Sequence, residues 1–245
     1  MNRVIDLLKD HRSIRKFKKR AVSKDQEQAI IESACHAATS NYVQAYTIIK
    51  VTDPSVRHRI AVLAGPQTWV EACPLFLVFC ADLSRAEAAC SRHRKKMEKG
   101  YVEQFIIATV DVALAAQNAM IAAESFGLGG VYIGGIRNDP DKVCRLLHIP
   151  ENVYPIFGMC IGYPDEAPEK KPRLPLDVVY KKDRFDASAD ESLITSYDKI
   201  CNAYYKRRNQ NDRDETWTRQ IAGMMEKPLR PHMKAFINKQ GFGIR

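Results

Sequence analysis

The 245-residue sequence lacks the glycine motifs that identify two large classes of nucleotide-binding enzyme. It contains no G-x-x-x-x-G-K-[ST] loop. Its glycine-rich stretch at 127–135 does not fit G-x-G-x-x-G, because the third glycine would fall on Tyr132. The stretch also follows a predicted helix, whereas the dinucleotide fingerprint opens one. P-loop enzymes and Rossmann-type dehydrogenases are therefore excluded. Internal repeats and low-complexity tracts are missing as well.

Cysteine patterns typical of a metal site or a disulfide framework are also missing. The sequence has seven cysteines, an odd number, with no C-x-x-C and no Cys/His ligand spacing. Most lie among apolar neighbours, as Cys80 and Cys160 do, where a thiol behaves as a small hydrophobic group. We expect free thiols, no metal and a reducing compartment, which favours the cytoplasm.

Membrane-targeting signals are weak. The N-terminal segment is too short and too charged for a signal peptide, so we expect none. The apolar stretch 105–123 is the one candidate membrane span, and it contains Asp111, Gln117 and Asn118, which a bilayer would penalise. We expect a buried core helix there, and a protein that is not inserted in a membrane.

The charge is strongly unbalanced. The sequence has 38 Lys and Arg against 29 Asp and Glu, a formal net charge of +9. This permits binding to nucleic acid, and a basic run at 92–99 is the place where such binding would start. The run has no interleaved aromatic residues and no surrounding DNA-binding motif. A solvated face of a predicted helix over 84–99 is favoured, and a non-catalytic nucleic-acid-binding protein remains the alternative function.

Two basic clusters suit a phosphate group. The first places an imidazole, two guanidinium groups and a hydroxyl close together, at His11, Arg12, Ser13 and Arg15. Arginine donates in pairs to phosphate oxygens, and such charge-assisted bonds are strong. The second cluster covers 170–173. Each cluster alone is also compatible with a solvated basic loop. Together with the glycines at 127–135, they predict one ligand site built from three distant segments.

The hydrophobic pattern predicts alternating helices and strands. Strands are expected over 46–51, 75–81, 130–133 and 155–162, and helices over 3–9, 24–37, 84–99 and 101–126, with two more after Asp53-Pro54 and Asp139-Pro140. Ser23 and Gln26 form a capping-box signature. Beyond residue 173 an irregular linker precedes three amphipathic segments with few large apolar residues. Such a tail cannot build its own core and must pack on something else, such as a partner subunit.

Several motifs in order along the chain resemble one family. They are HRSIRKF at 11–17, GPQ at 65–67, GLGGVYIGGIRN at 127–138, KKPRLP at 170–175 and the tail motifs DETW and KQGFGIR. The sequence resembles the FMN-dependent nitroreductases, in their NADPH-preferring nitroreductase/flavin reductase branch. The resemblance implies an α+β fold of three layers, α/β/α, with a mostly antiparallel sheet of about four to five strands. It also implies a domain-swapped homodimer, with an FMN-binding core over 1–175 and an extension over 176–245 that embraces the partner and carries the NADPH loop.

The resemblance also implies an FMN site. Phosphate and ribityl contacts are expected from the two basic clusters, ring contacts from Arg15 and Gln67, and a backbone donor beside flavin N5 from the glycine pair. The full expected set is His11, Arg12, Ser13, Ile14, Arg15, Thr39, Gln67, Thr68, Trp69, Tyr132, Ile133, Gly134, Gly135, Lys171, Pro172 and Arg173. A cation near the pyrimidine end stabilises the negative charge that reduction builds there.

Donor and acceptor residues follow from the same resemblance. The loop 206–213 resembles the one that holds the 2′-phosphate of NADPH, with Arg208 and Arg213 as ligands, although taken alone it fits a solvated basic turn. Arg137 and Arg230 match acceptor-site positions. Asn41 and Tyr42 lie where related chains often carry serines, so we expect them to alter the range of acceptors.

The implied activity is ping-pong electron transfer. Hydride passes from NADPH to FMN, and a second substrate then takes two electrons in the same pocket. The implied small-molecule acceptors are nitroaromatics, quinones or free flavin. No single side chain is expected to act as a catalytic acid or base.

Overall fold

The computed structural model describes residues 2–208 and 213–243. The chain forms two compact units. The first, called here the core unit, comprises residues 1–168 and 230–245, and the second, the C-terminal unit, comprises residues 169–229. The predicted division into 1–175 and 176–245 stays a prediction.

The core unit is built on one antiparallel sheet. Its strands are β1 (Tyr46–Lys50), β2 (Leu75–Asp82), β3 (Gly129–Ile133) and β4 (Val153–Gly162), in the spatial order β1-β2-β4-β3. Each neighbouring pair is antiparallel, and a bulge shifts the β2–β4 register between Phe79 and Cys80. The predicted α+β class and antiparallel sheet are confirmed, and the four predicted strands are present.

Helices surround this sheet and make up the C-terminal unit. Those of the core unit are α1 (Arg3–Asp10), α2 (Lys24–Cys35), α3 (Pro54–Leu63), α4 (Trp69–Ala72), α5 (Ser84–Arg92), α6 (Val102–Ser125), α7 (Pro140–Leu147) and α11 (Met233–Ile237). Those of the C-terminal unit are α8 (Leu176–Val179), α9 (Asp190–Lys206) and α10 (Trp217–Met225). Short 3-10 turns cover Ser40–Tyr42 and Gly134–Asn138, and a π-helical turn covers Asn238–Phe242.

Strand β2 is buried on both faces, which explains its continuous apolar sequence. Leu75, Leu77 and Phe79 belong to one apolar cluster, with residues of α2 and α6. The alternate residues Phe76 and Val78 belong to a second cluster, with residues of α3, α4 and α7. Because side chains alternate along a strand, the two clusters lie on opposite faces of the sheet. The predicted three-layer arrangement is confirmed.

Helix starts follow their capping signals. The Ser23 hydroxyl accepts from the Gln26 backbone N–H at 3.2 Å, and the Gln26 side chain accepts from the Ser23 backbone N–H at 3.2 Å. The Asp53 carboxylate accepts from the backbone of Ser55 and Val56 before α3. Both sets of bonds satisfy backbone N–H groups at the start of a helix, which have no partner inside the helix.

Helix α6 is the core helix of the unit. Its buried face is rich in small residues, including Ala108, Ala115 and Ala119, which allow close packing on α2 and the sheet. Gly127, with φ +72°, ends the helix region as predicted. Among the described residues, α6 is the one helix that is long and apolar enough to cross a membrane. Its fully buried alanines favour a role in the protein core.

The predicted helix over 84–99 is wrong beyond Arg92, where α5 ends. Arg94 adopts a left-handed φ of +55°. The Lys95 N–H then donates to the Cys90 carbonyl at 2.8 Å, and the Arg94 N–H donates to the Ser91 carbonyl at 2.9 Å. This is a Schellman-type helix end, which usually contains glycine. Because an arginine stands at that position, no glycine marks the helix end in the sequence.

The last segment of the predicted tail packs into the core of its own chain. Phe236, Ile237 and Phe242 are buried in the cluster that contains α6, with Phe242 only 1% exposed. The tail was expected to pack on something else, and this last segment packs on the core unit of its own chain.

Candidate active site

The first basic cluster lies beside β3. The Ile14 N–H donates to the Gly130 carbonyl at 2.9 Å, and Ser13 forms a parallel bridge with Gly130. Ile14 is only 3% exposed and anchors the segment in the core. A Cβ on Gly129 would lie 2.5 Å from Ile14 Cγ1, so this close approach requires glycine. The fold thus brings the HRSIR motif and the glycine stretch together.

Carboxylates contact three residues of this cluster. His11 Nδ1 lies 2.6 Å from Glu124 Oε1, and an Arg12 guanidinium nitrogen lies 2.7 Å from Asp10 Oδ1. Glu166 Oε1 accepts from the Arg15 backbone N–H at 2.5 Å. A cavity of about 260 Å³ is lined by Asp10, Glu124 and Glu166 together with Arg12. This acidic lining does not suit a phosphate. To bind a phosphate, Arg12 must first break its ion pair with Asp10.

Arg15 lies near the indole of Trp69, whose N–H donor has no hydrogen-bond acceptor among the residues that the structure describes. The Arg15 guanidinium carbon is 5.9 Å from the centre of the Trp69 ring. In the described part of the chain, Trp69 Nε1 is a buried donor with no hydrogen-bond partner. Leaving such a donor unsatisfied costs about 1–3 kcal/mol. A bound planar group with carbonyl or ring acceptors, such as a flavin, would remove that cost. The residues present therefore fit an FMN.

The turn before α4 positions Gln67, Thr68 and Trp69. Gly65 adopts φ +90°, and the Gln67 side-chain amide donates to the Ala64 carbonyl at 2.7 Å. The Thr68 carbonyl accepts the first bonds of α4. These three predicted contact residues therefore lie on one short, hydrogen-bonded turn.

The glycine pair packs directly on this turn. Gly134 and Gly135 open the 3-10 turn that follows β3. A Cβ on Gly135 would lie 2.1 Å from the Ala64 carbonyl oxygen and 2.7 Å from Gln67 Nε2. Only glycine permits this approach. The HRSIR segment, the 64–69 turn and the 129–135 stretch therefore meet around β3.

Two residues of β3 support the same region. Ile133 is buried, whereas Tyr132 is partly exposed and its hydroxyl donates to Gln117 Oε1 at 3.3 Å. Burial, with the nearby charge of Glu124, raises the pKa of Tyr132 to about 12. The phenol is therefore neutral at physiological pH.

Thr39 and the acceptor residues Asn41 and Tyr42 lie on a constrained loop. Asn41 and Tyr42 have φ of 47° and 60°, and Tyr42 is 80% exposed. The Thr39 hydroxyl donates to Asp111 Oδ2 at 2.5 Å and accepts from the Gln44 N–H at 2.8 Å. The Thr39 proton is therefore already used within the protein. From the sequence, Asp111 was predicted only to oppose membrane insertion, although a carboxylate inside an apolar helix also indicates a structural role.

Arg137 and Arg230 are close enough to influence each other. Arg137 donates to the Ile156 carbonyl, and Arg230 Nε donates to Asn138 Oδ1 at 3.0 Å. Burial lowers the pKa of Arg137, and the positive charge of Arg230 lowers it further. His232 Nε2 donates to the Arg137 carbonyl at 2.9 Å, a contact that the sequence did not suggest. The pair forms a cationic patch in the core unit.

The remaining predicted cofactor residues lie in the C-terminal unit. The Pro172 carbonyl accepts from the Tyr197 hydroxyl at 3.0 Å, and the charge of Arg173 acts on the same phenol. Lys171, Arg208 and Arg213 lie near the ring of Tyr205. Residues 209–212 of the predicted NADPH loop lie outside the described residues.

No group of three or more His, Cys, Asp and Glu side chains that could hold a metal ion occurs in residues 2–208 and 213–243. All seven cysteines are free, and five of them are buried.

Comparison with known proteins places these features in a family. The profile of the nitroreductase family matches residues 8–163, and that of its C-terminal domain matches residues 171–245. The FMN reductase (NADPH) of Bacillus subtilis is 40% identical, with 99% of each chain covered. The oxygen-insensitive NADPH nitroreductase of Salmonella typhimurium is 40% identical, with 100% of each covered. The solved structure of B. megaterium NfrA1 is 44% identical, with a TM-score of 0.95 over 99% of this chain and 100% of that one. This chain therefore belongs to the nitroreductase family.

Proposed function

We propose that this protein is an FMN-containing oxidoreductase that takes electrons from NADPH and passes them in pairs to nitroaromatics, quinones or free flavin. The names of full-length relatives support NADPH as donor and flavin or nitro compounds as acceptors. The quinone acceptors are an extension of the same two-electron chemistry.

The observation that carries this proposal is the packing of Gly135 against the Ala64–Gln67 turn. It fixes the buried Gly135 backbone against the turn that leads into Trp69. The buried Nε1 of Trp69 has no partner among the described residues. Rigid backbone donors next to an unsatisfied indole suit a planar heterocycle with several acceptors. A solvated basic loop would need neither feature.

The roles of the residues follow from their chemistry. FMN, when bound, supplies the reversible uptake and release of hydride. The Gly134-Gly135 backbone would donate to its ring, and Arg15 would place a cation at the pyrimidine end. His11, Arg12 and Ser13, with Lys171 and Arg173 of the C-terminal unit, would hold its phosphate and ribityl chain. Gln67, Thr39 and the remaining residues of the expected set would shape the walls.

Donor and acceptor use the remaining cations. Arg208 and Arg213 would bind the 2′-phosphate of NADPH, and Arg137 with Arg230 would attract electron-rich or anionic acceptors. Asn41 and Tyr42 would limit which acceptors enter. Because donor and acceptor share one pocket, NADP⁺ would leave before the acceptor enters.

A direct test starts from the purified protein. A flavin absorbance spectrum, release of FMN on denaturation, and acceptor-dependent oxidation of NADPH are expected. A colourless protein that binds DNA in a salt-sensitive manner would instead support the alternative of a nucleic-acid-binding function. A panel of nitroaromatic, quinone and flavin acceptors, run with NADPH and NADH, identifies the preferred pair.

The functional form we propose is a homodimer. Val102, Ile106, Val110 and Leu114 are spaced four residues apart on α6, and each is 39–48% exposed. Residues at this spacing form one stripe along a helix, and an exposed apolar stripe of this kind favours a subunit interface. Val110→Glu should yield monomers, which gel filtration with light scattering detects. The monomers should also retain less FMN, as measured by the flavin absorbance of the eluted protein. Val62→Glu is the matched control, because Val62 is a similarly exposed valine (52%) outside this stripe, and the variant should stay dimeric.

We also propose a cytoplasmic location, supported by the seven free cysteines. The predicted division at 175 and 176 is proposed as a functional one, with 176–245 embracing the partner and carrying the NADPH loop. Separate expression of 1–175 is expected to give a protein that retains little FMN.

A further inference from the structure

Three cations of the C-terminal unit surround one tyrosine. Lys171 Nζ lies 5.6 Å from the centre of the Tyr205 ring, and the guanidinium carbons of Arg208 and Arg213 lie at 6.0 and 4.4 Å. Tyr205 itself is only 2% exposed. The Arg208 guanidinium carbon also lies 5.7 Å from the centre of the neighbouring Tyr204 ring. Tyr205 is thus the common contact of two residues assigned to the donor and one assigned to the cofactor.

The phenol oxygen of Tyr205 belongs to the same cluster. It donates to Gln220 Oε1 at 2.9 Å, and Arg213 Nη2 donates to that same oxygen at 3.3 Å. Burial raises the pKa of Tyr205, but hydrogen bonds and positive charge from Lys171 and Arg213 outweigh it and leave the pKa below its ordinary value. The cations therefore interact with the ring and with the oxygen.

Two carboxylates in the described part of this unit, Asp214 and Glu169, are paired with other cations. Asp214 lies 3.1 Å from Lys206 and accepts from Asn202 at 2.6 Å. Glu169 lies 3.3 Å from Arg207. Three positive charges that repel each other are thus held around an aromatic ring, which attracts cations through its electron-rich face. A phosphate monoester carries about two negative charges and three acceptor oxygens, which complements three such donors.

We propose that Tyr205 is a positioning residue that holds Lys171, Arg208 and Arg213 as one site for a phosphate monoester. This inference rests on the proposed function, since that phosphate belongs either to NADPH or to FMN. As a positioning residue, the tyrosine acts on the phosphate through these three side chains. Its role is to keep flexible side chains in place before the ligand arrives, which lowers the entropic cost of binding.

The test compares two substitutions in the full-length holoenzyme. Tyr205→Leu removes the ring, and Tyr205→Phe removes only the phenol oxygen. Three quantities are measured: binding of adenosine 2′-monophosphate by calorimetry, the KM and kcat with NADPH and with NADH, and the FMN retained after gel filtration. Tyr180→Leu, on a 70% exposed tyrosine of the same unit, is the control and should change none of them.

For a donor phosphate, Tyr205→Leu should weaken binding of adenosine 2′-monophosphate about tenfold and raise the KM for NADPH similarly. The KM for NADH and both kcat values should stay within about twofold. Tyr205→Phe should cause a smaller loss, about twofold to threefold, because the ring remains. If the phosphate bound at this site is that of FMN, Tyr205→Leu should instead lower the amount of FMN retained after gel filtration. Either pattern supports the inference.

The inference is overturned if both variants fold and change neither phosphate binding nor FMN retention. Equal losses with NADPH and NADH at unchanged FMN retention would also overturn it, because they indicate a general structural role. If Tyr205→Leu does not fold, Tyr205→Phe is the deciding variant. Unchanged binding of adenosine 2′-monophosphate together with unchanged FMN retention in Tyr205→Phe would then contradict the positioning role. A failure of the proposed phosphate contacts is distinguished from a failure of the Tyr205 role by three further variants, Arg208→Ala, Arg213→Ala and Lys171→Ala. If these three are also without effect, the proposed phosphate contacts fail, and not Tyr205 alone.

Discussion

The hydroxyl of Thr39 donates a hydrogen bond of 2.5 Å to the carboxylate of Asp111, 72 residues further along the chain. The same carboxylate accepts from the backbone N–H groups of Ser40 at 3.1 Å and Ala45 at 3.0 Å. Asp111 is only 1% exposed. One buried side chain of α6 therefore fixes the loop that carries the proposed acceptor residues Asn41 and Tyr42.

Asp111→Asn should loosen this loop. The amide replaces one acceptor oxygen with a donor, so at least one of the three hydrogen bonds is lost, at a cost of about 1.5–3 kcal/mol. We expect a lower melting temperature and a higher KM for acceptors, with a smaller change in the KM for NADPH. Glu103→Gln, an exposed acid on the same helix, should change neither quantity. An unchanged acceptor KM in Asp111→Asn would contradict the anchoring role.

The second prediction concerns close packing at Gly135. A Cβ there meets backbone, the Ala64 carbonyl oxygen at 2.1 Å, which cannot rotate away. Gly135→Ala should therefore cost about 1–3 kcal/mol in the free energy of unfolding and reduce FMN retention. Gly223→Ala is the matched control, because nothing lies within 4 Å of its Cβ and it is inside α10. It should be neutral or stabilising by up to about 1 kcal/mol.

The third prediction concerns the phosphate contacts of FMN. Arg12→Ala and Lys171→Ala should each remove a charge-assisted contact worth about 1.5–3 kcal/mol. This corresponds to a roughly 10- to 100-fold loss of FMN affinity. Gel filtration followed by flavin absorbance measures the retention. Lys96→Ala, in the exposed basic run, is the control for net charge. Full retention in both test variants would show that the phosphate lies elsewhere.

The sequence predicted the features that depend on local chemistry. The Ser23–Gln26 capping box, the Asp53-Pro54 helix start and the buried strand β2 follow from residues adjacent in the chain. The end of α5 did not follow, because Arg94 replaces the usual glycine in a left-handed conformation. Helix propensities of the individual residues do not predict such a turn.

The candidate site divides in the same way. Its segments were identified from their motifs, but their contacts join residues far apart in sequence, as Ala64 and Gly135 do. Asp111 and Tyr205 were missed, since their roles depend on which backbone groups and cations surround them. Such contacts arise from tertiary packing, and no period or motif encodes them.

The fourth prediction concerns acid stability. Asp82 is 5% exposed. Its burial raises the pKa, but hydrogen bonds from Ser84 and Thr47 and the charge of Arg85 lower it more, so the folded-state pKa lies below the ordinary value. The carboxylate therefore stabilises the fold fully above its unfolded pKa of about 3.9. That stability is lost as the pH falls through the folded-state pKa.

Asp82→Asn should accordingly lower the free energy of unfolding by about 1–3 kcal/mol at pH 7. Below about pH 4 the difference from the unsubstituted protein should shrink. Urea unfolding at both pH values measures it. A difference that stays constant with pH would show that the Asp82 charge contributes nothing and that the amide acts through packing.

The last prediction concerns the order of electron transfer. The proposed function uses one redox group, FMN, for both half-reactions. Donor and acceptor are therefore expected to use one pocket in turn. Double-reciprocal plots should give parallel lines, as expected for a ping-pong sequence.

NADP⁺ and the acceptor then compete for the same form of the enzyme, so NADP⁺ should inhibit competitively against the acceptor. Because electrons leave in pairs, the net rate of nitro reduction should be the same in air and under nitrogen. The measurement uses a small quinone and a larger nitroaromatic as acceptors, which controls for effects of acceptor size. Intersecting lines with both would mean that donor and acceptor bind together. Oxygen-dependent reversal of nitro reduction would mean that electrons leave one at a time, because a nitro radical released after one electron is reoxidised by oxygen.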